Sequence, residues 1–199
     1  MHFRGRTTWS RVWAAAALAA GLAGCGGEGT VAPEGSIGSP DVAATVSAPA
    51  SHRETDLGTC DSLAVPTGQR RIATLYARGD QIYRWDGGAW VFVAPSARLY
   101  PNQHARGQVG VHYAGPTWES LGGSKVVGSV VRRCPASPSA IPWLLLGAAS
   151  SEGHGLFRGV SYIQRLHTQG GLAPTTAGST VGETVNVPYT ADYVFYRAR

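Results

Sequence analysis

Residues 81–93 decide the fold of this chain, and they read Gln81-Ile82-Tyr83-Arg84-Trp85-Asp86-Gly87-Gly88-Ala89-Trp90-Val91-Phe92-Val93. The stretch contains two short runs of aromatic and β-branched residues, separated by Asp86-Gly87-Gly88. Two such runs on either side of a glycine-containing turn are typical of a β-hairpin. The stretch therefore predicts two antiparallel strands joined at Asp86-Gly87-Gly88.

Similar runs recur over the second half of the chain. We predict strands at residues 71–76, 81–85, 89–93, 108–113, 125–132, 143–148, 157–166 and 189–197, with Arg78-Gly79-Asp80 as the turn between the first two. Turn residues at intervals of about 8–12 residues are typical of an all-β sandwich or barrel. The sequence therefore predicts a single antiparallel β-sandwich or barrel-like domain over residues 58–199.

The N-terminus has the pattern of an export signal. Three arginines in residues 1–11 are followed by an apolar run over residues 12–20 and then by Leu22-Ala23-Gly24-Cys25. This order is typical of a secretory signal peptide, and the apolar run is shorter than the ~20 residues that span a bilayer. The ending resembles the lipobox of bacterial lipoproteins. That resemblance implies cleavage after residue 24, a diacylglycerol on the Cys25 sulfur, and a palmitate-type acyl group on its amine.

The resemblance to a lipobox also implies where in the cell the protein is located. A lipidated Cys25 would attach the chain to a bacterial membrane in the cell envelope, facing outside the cytoplasm. Residues 26–57 are rich in Gly, Ala, Ser, Pro and Thr and contain no aromatic residue, so they cannot bury enough apolar surface to fold. We predict three parts: a lipoprotein signal peptide (1–24), the lipidated Cys25 with a disordered, flexible tether (25–57), and a β-rich globular domain (58–199).

Charge argues against a nucleic-acid partner. The full chain has 17 basic and 12 acidic residues and a formal net charge of +5. Loss of residues 1–24 removes three arginines and no acid, which lowers the net charge to +2. The largest basic clusters are the pairs Arg70-Arg71 and Arg132-Arg133, whereas binding to nucleic acid needs a concentrated basic surface. We therefore predict no nucleic-acid binding.

The cysteines predict one disulfide. With Cys25 lipidated, Cys60 and Cys134 remain. In an oxidising compartment outside the cytoplasm, two remaining thiols are expected to pair. A redox or metal-binding pair is the alternative, but the sequence has no Cys-x-x-Cys spacing to support it.

Several blocks resemble a bacterial and fungal family, the domain of unknown function 3455. They are residues 77–84 (Ala-Arg-Gly-Asp-Gln-Ile-Tyr-Arg), 109–119, 141–146, 162–166 with 170–174, and 187–196. The resemblance covers most of residues 62–197. It implies an exported, compact domain, and it implies no established reaction.

Known catalytic patterns are missing from the sequence. The chain contains no Gly-x-Gly-x-x-Gly between a strand and a helix, no Gly-x-Ser-x-Gly, and no His-Glu-x-x-His. We therefore predict no cofactor and no metal site.

The densest polar and aromatic cluster is residues 112–119. His112 and Glu119 are candidate acid–base or metal-binding groups, while Tyr113 and Trp118 are candidates for stacking on a flat ligand. In the alternative interpretation the cluster is only a hairpin corner, with His112 hydrogen-bonded, Trp118 in the core, and Glu119 paired with an arginine.

Arg165 is the last candidate. Strand alternation places it with Ile163 on one face and Tyr162, Gln164 and Leu166 on the other. An arginine on an apolar face needs a partner, so Arg165 is either in an ion pair or an anion-binding group.

Two function classes follow from the sequence. The first is a membrane-anchored extracytoplasmic lipoprotein that is not an enzyme; it would bind a glycan, peptide or small molecule, or support the envelope. The alternative is a small hydrolase or metal-dependent enzyme that uses His112 and Glu119. The absence of catalytic patterns favours the first class.

Lipidation predicts a clear outcome for Cys25→Ser. Because only the thiol can accept the diacylglycerol, the variant should incorporate no radiolabelled palmitate and should not be cut after residue 24. Labelling and fractionation of expressing cells measure both. Ser36→Ala, in the predicted tether, is the matched control and should be labelled like the wild type. Equal labelling and processing of Cys25→Ser would contradict the lipoprotein interpretation.

Overall fold

The computed structural model describes residues 55–199, which form a closed antiparallel barrel of eight strands. The strands are β1 (Gln69–Trp85), β2 (Trp90–Tyr100), β3 (Gly110–Tyr113), β4 (Thr117–Ser120), β5 (Lys125–Cys134), β6 (Trp143–Glu152), β7 (Tyr162–Gly170) and β8 (Thr184–Ala198). A 3-10 helix, Asp61–Leu63, precedes them. The all-β prediction is confirmed, and of its two forms the barrel is correct.

The predicted signal peptide, Cys25 and the tether up to residue 54 lie outside the described residues. Within residues 55–199, no helix is long and apolar enough to cross a membrane.

Each strand pairs with its neighbours in the chain, and β1 also pairs with β8 to close the sheet. The predicted hairpin is confirmed: Trp85 pairs with Trp90, and the Asp86 carboxylate accepts hydrogen bonds from the backbone N–H groups of Gly88 and Ala89, both at 2.8 Å. Such side-chain bonds to the backbone are the reason that aspartate favours turns.

The turn predicted at Arg78-Gly79-Asp80 is wrong, because β1 runs without interruption for 17 residues. Gly79 has a different role there. A Cβ atom at Gly79 would lie 2.1 Å from the Ser96 carbonyl oxygen and 2.4 Å from the Ala97 Cα on β2. A glycine inside a strand marks such a close approach of two backbones, so Gly79 lets β1 and β2 pack at this point of the barrel.

The barrel interior holds the main hydrophobic core, and the loop between β6 and β7 closes one end of it. Phe157 and Val160 of that loop are buried in the core. Phe157 is fixed by its N–H, which donates to Ser124 Oγ (3.1 Å), and by its carbonyl, which accepts from Ser151 Oγ (2.8 Å). The predicted strand 157–166 is therefore too long, since β7 begins only at Tyr162.

A second apolar cluster lies against β6, β7 and β8, beneath the segment that precedes β1. It consists of Cys60, Leu63, Leu145, Leu166, Val194 and Tyr196. The predicted disulfide is confirmed, with 5.8 Å between the Cα atoms of Cys60 and Cys134. It closes a loop of 74 residues, which in a chain-entropy treatment stabilises the fold by about 4 kcal/mol. The disulfide also links the segment that precedes β1, called the covering segment below, to the end of β5.

The close approach at Gly79 predicts that Gly79→Ala destabilises the barrel. The added methyl group cannot fit without moving the β2 backbone, and overpacking of this kind typically costs about 1–3 kcal/mol. Urea unfolding followed by tryptophan fluorescence measures the loss. Gly88→Ala, in the exposed hairpin turn, is the matched control, because its Cβ would meet only the Asp86 carboxylate at 3.7 Å. Equal stability of the two variants would contradict this account.

Candidate functional site

A cavity of about 480 Å³ opens at one end of the barrel. Its walls are mainly aromatic and aliphatic, with a few polar and charged side chains. They are formed by Gln81, Tyr83, Phe92, Val93, Pro95, His112, Gly115, Pro116, Trp118, Val130, Arg133, Ile141, Pro142, Leu144, Leu146, Arg165 and Tyr193. The loop that contains Phe157 joins β6 to β7 at the opposite end of the barrel, because consecutive strands alternate in direction.

The β3–β4 hairpin divides the predicted site residues between two faces. His112 pairs with Trp118 across the hairpin, and both side chains are buried in the interior. Tyr113 and Glu119 alternate with them and lie on the outer surface, where the Tyr113 hydroxyl donates to the Glu119 carboxylate at 2.6 Å. The cavity therefore brings together His112, Trp118 and Arg165, and it does not include Tyr113 or Glu119.

His112 forms part of the cavity wall. Its ring stacks on Trp118 at a centroid distance of 4.4 Å, and Nδ1 lies 2.8 Å from the Thr117 carbonyl oxygen. A carbonyl oxygen only accepts, so Nδ1 carries the proton. Burial lowers the pKa of His112 to about 3, an effect that the nearby Arg165 charge reinforces and the Thr117 bond opposes. The imidazole is therefore neutral at pH 7.

His112 and Glu119 do not form an acid–base pair in this arrangement, because they lie on opposite faces of the hairpin. Among residues 55–199, no three His, Cys, Asp or Glu side chains are grouped closely enough to hold a metal ion.

Arg165 projects from β7 into the cavity and has no acidic partner there. Its Nε and Nη2 both donate to the Pro142 carbonyl oxygen, at 3.1 and 2.8 Å. No carboxylate of the described residues forms a salt bridge with it, so the ion-pair interpretation does not fit this geometry. The cavity lining contains a second arginine, the exposed Arg133, and no acidic residue.

Sequence analysis missed Gln81, Tyr83 and Tyr193 as cavity residues. Gln81 is only 2 % exposed, and its amide nitrogen has no hydrogen-bond partner. The Tyr83 hydroxyl donates to the Gly171 carbonyl oxygen at 2.6 Å. A signal for Gln81 was present, because it alternates with Gly79 and Tyr83 along one strand face. It is a polar residue in line with residues that face the interior.

Comparison with known proteins finds one family. The family model described as a protein of unknown function, DUF3455, matches residues 66–197. No curated protein and no solved structure matches the chain.

The lowered pKa of His112 predicts a loss of stability in acid. The unfolded chain takes up a proton near the ordinary pKa of 6.5, whereas the folded chain does so only near 3. This contribution to the free energy of unfolding is complete above pH 6.5 and falls between 6.5 and 3, by up to ~1.4 kcal/mol per pH unit. Chemical unfolding at pH 4 to 7 measures the slope.

The matched pair for this test is His112→Asn and His104→Asn. Asparagine at position 112 keeps a donor for Thr117 but does not titrate, so that variant should lose stability less steeply between pH 6.5 and 4. His104 is exposed, and its variant should keep the slope of the wild type. Identical slopes in all three proteins would refute this role for His112.

Proposed function

This chain belongs to the family of proteins of unknown function DUF3455, and we propose that its barrel is a binding module for a small, largely apolar molecule, without enzymatic activity. The observation that carries the proposal is the mainly apolar cavity at one end of the barrel. Its volume of about 480 Å³ lies in the range of roughly 300–1,000 Å³ that is typical of small-molecule sites.

The cavity walls favour a small molecule over the other ligand classes. Most of the lining side chains are apolar or aromatic, whereas a glycan would need many polar partners. Peptides often bind by adding a strand to an open sheet edge, but the pairing of β1 with β8 leaves this sheet closed. Barrels of eight strands have room for side chains or for one small ligand.

The entrance of the cavity is apolar too. Phe92 and Val130 line it with side chains that are 50 % and 38 % exposed, and Val93 lies beside Phe92. Exposed apolar groups at the rim of a cavity are typical of ligand entry sites.

We extend the proposal to location: the module works in the cell envelope, attached to a membrane through lipid on Cys25. The lipobox-like sequence at residues 22–25 supports this. The Cys60–Cys134 disulfide supports the location outside the cytoplasm, because disulfides persist mainly there.

Binding is tested with N-phenyl-1-naphthylamine, a neutral probe that fluoresces in apolar surroundings. The protein is the predicted mature chain, residues 25–199, with Cys25→Ser so that no detergent is needed. We expect a saturable rise in fluorescence. In Val130→Trp the indole should fill the entrance and weaken binding roughly tenfold or more, a loss of about 1.4 kcal/mol.

Val131→Trp is the matched control, since Val131 is exposed beside Val130 but does not line the cavity. It should bind the probe like the wild type. No saturable binding, or an equal loss in both variants, would overturn the proposed function.

A further inference from the structure

We propose that the ligand of this cavity is a monocarboxylic acid with an apolar or aromatic tail, and that Arg165 binds its carboxylate with help from Gln81 and Trp118. This inference rests on the proposed binding function and names the chemical class of its ligand.

Hydrogen bonds to the protein orient the Arg165 side chain and leave some of its N–H donors unused. A guanidinium has five N–H donors, and the Pro142 carbonyl takes one from Nε and one from Nη2. The Tyr193 hydroxyl also accepts a hydrogen bond from the guanidinium, and no acidic side chain lines the cavity. Because a guanidinium has more donors than these two acceptors use, donors remain for a ligand. A cation in an apolar cavity needs an anionic partner, and guanidinium groups bind carboxylates with well-defined geometry.

Two further side chains of the cavity lining each carry a buried donor without a protein partner. The amide nitrogen of Gln81 and the indole nitrogen of Trp118 are both buried and unpaired, in side chains that are 2 % and 1 % exposed. Buried donors without acceptors are rare in folded proteins. A ligand whose head group only accepts hydrogen bonds would pair with Arg165 and, where it reaches them, with these two buried donors.

The charge of the site favours a carboxylate over a neutral or doubly charged head group. Arg165 is the one partly buried cation of the lining, and the second cation, Arg133, is exposed. His112 is neutral and has already committed its Nδ1–H to Thr117. One buried positive charge with two neutral donors suits a single negative charge spread over two oxygens. Leu144, Leu146 and the ring of Tyr193 would contact the tail.

The test compares acids with alcohols of the same shape. Bound N-phenyl-1-naphthylamine is displaced from the same mature chain by 3-phenylpropionate or 3-phenylpropan-1-ol, and by octanoate or octan-1-ol. The wild type should require at least tenfold less acid than alcohol within one or both pairs. Arg165→Gln should reduce that preference to below threefold while the probe still binds. Glutamine at position 165 can still donate to Pro142, which limits damage to the fold.

Arg132→Gln is the matched control. It removes the same charge from an exposed residue that precedes Arg133 in the chain and does not line the cavity. This variant should keep the preference for acids. Gln81→Met is a second variant that removes an unpaired buried donor, so it should fold at least as well as the wild type and should bind the acids more weakly.

The two proposals fail in different ways. If the probe does not bind the wild type, the binding function fails and the carboxylate proposal with it. If the probe binds but acid and alcohol displace it equally, or if Arg165→Gln keeps the preference for acids, only the carboxylate proposal is overturned.

Discussion

The pairing of β1 with both β2 and β8 is the constraint on which the rest of this structure depends. A strand of 17 residues is hydrogen-bonded along both edges, so the sheet closes and every second side chain points into one interior. Gly79 permits a close approach of the β1 and β2 backbones, since a Cβ there would overlap the backbone of Ser96 and Ala97. Once the sheet is closed, its interior can be filled only by its own side chains or by loops at its ends. Phe157 and Val160 fill one end, and the other end remains a cavity.

Polar side chains inside a closed barrel have few hydrogen-bond partners, because the strand backbones around them are already paired with each other. Gln164 faces outward, where its amide reaches the Leu63 carbonyl oxygen under the covering segment at 2.7 Å. Arg165, one residue later, faces inward, where the Pro142 carbonyl oxygen and the Tyr193 hydroxyl accept from it and no carboxylate of the described residues forms a salt bridge with it. Because neighbouring residues of a strand face opposite sides, the same short sequence supplies a satisfied structural amide and a charged group with free donors.

Much of the fold could be predicted from the sequence, because the relevant signals are local. The hairpin at residues 86–88 and the pairing of the two remaining cysteines needed no knowledge of distant contacts. Gly79 was misinterpreted, since a glycine that permits a turn and a glycine that permits close strand packing look alike in sequence. Phe157 was assigned to a strand because an aromatic residue suits a strand and a buried loop equally well. Only the tertiary structure separates these cases.

The site was predicted in part for the same reason. Alternation along the predicted strands already implied that Tyr113 faces away from His112 and that Arg165 lies with Ile163. The positions of Trp118 and Glu119 depend on β4 and its pairing with β3. No strand was predicted at residues 117–120, and the sequence interpretation therefore grouped all four residues. Whether Arg165 forms an ion pair or lines a cavity depends on which strands lie around it. That arrangement follows from closure of the sheet and cannot be inferred from any single segment.

The pKa shifts of the cavity lining support the binding function proposed above. Proton transfer near neutral pH needs a group whose pKa lies near neutral pH. Burial moves the groups here in the other direction: it lowers the pKa of His112 to about 3 and raises the pKa of Tyr83 and Tyr193 above 10.0. The lining also contains two guanidinium groups and no acidic side chain. The lining therefore offers a positive charge and neutral hydrogen-bond donors, which suits the anionic head group proposed as its ligand.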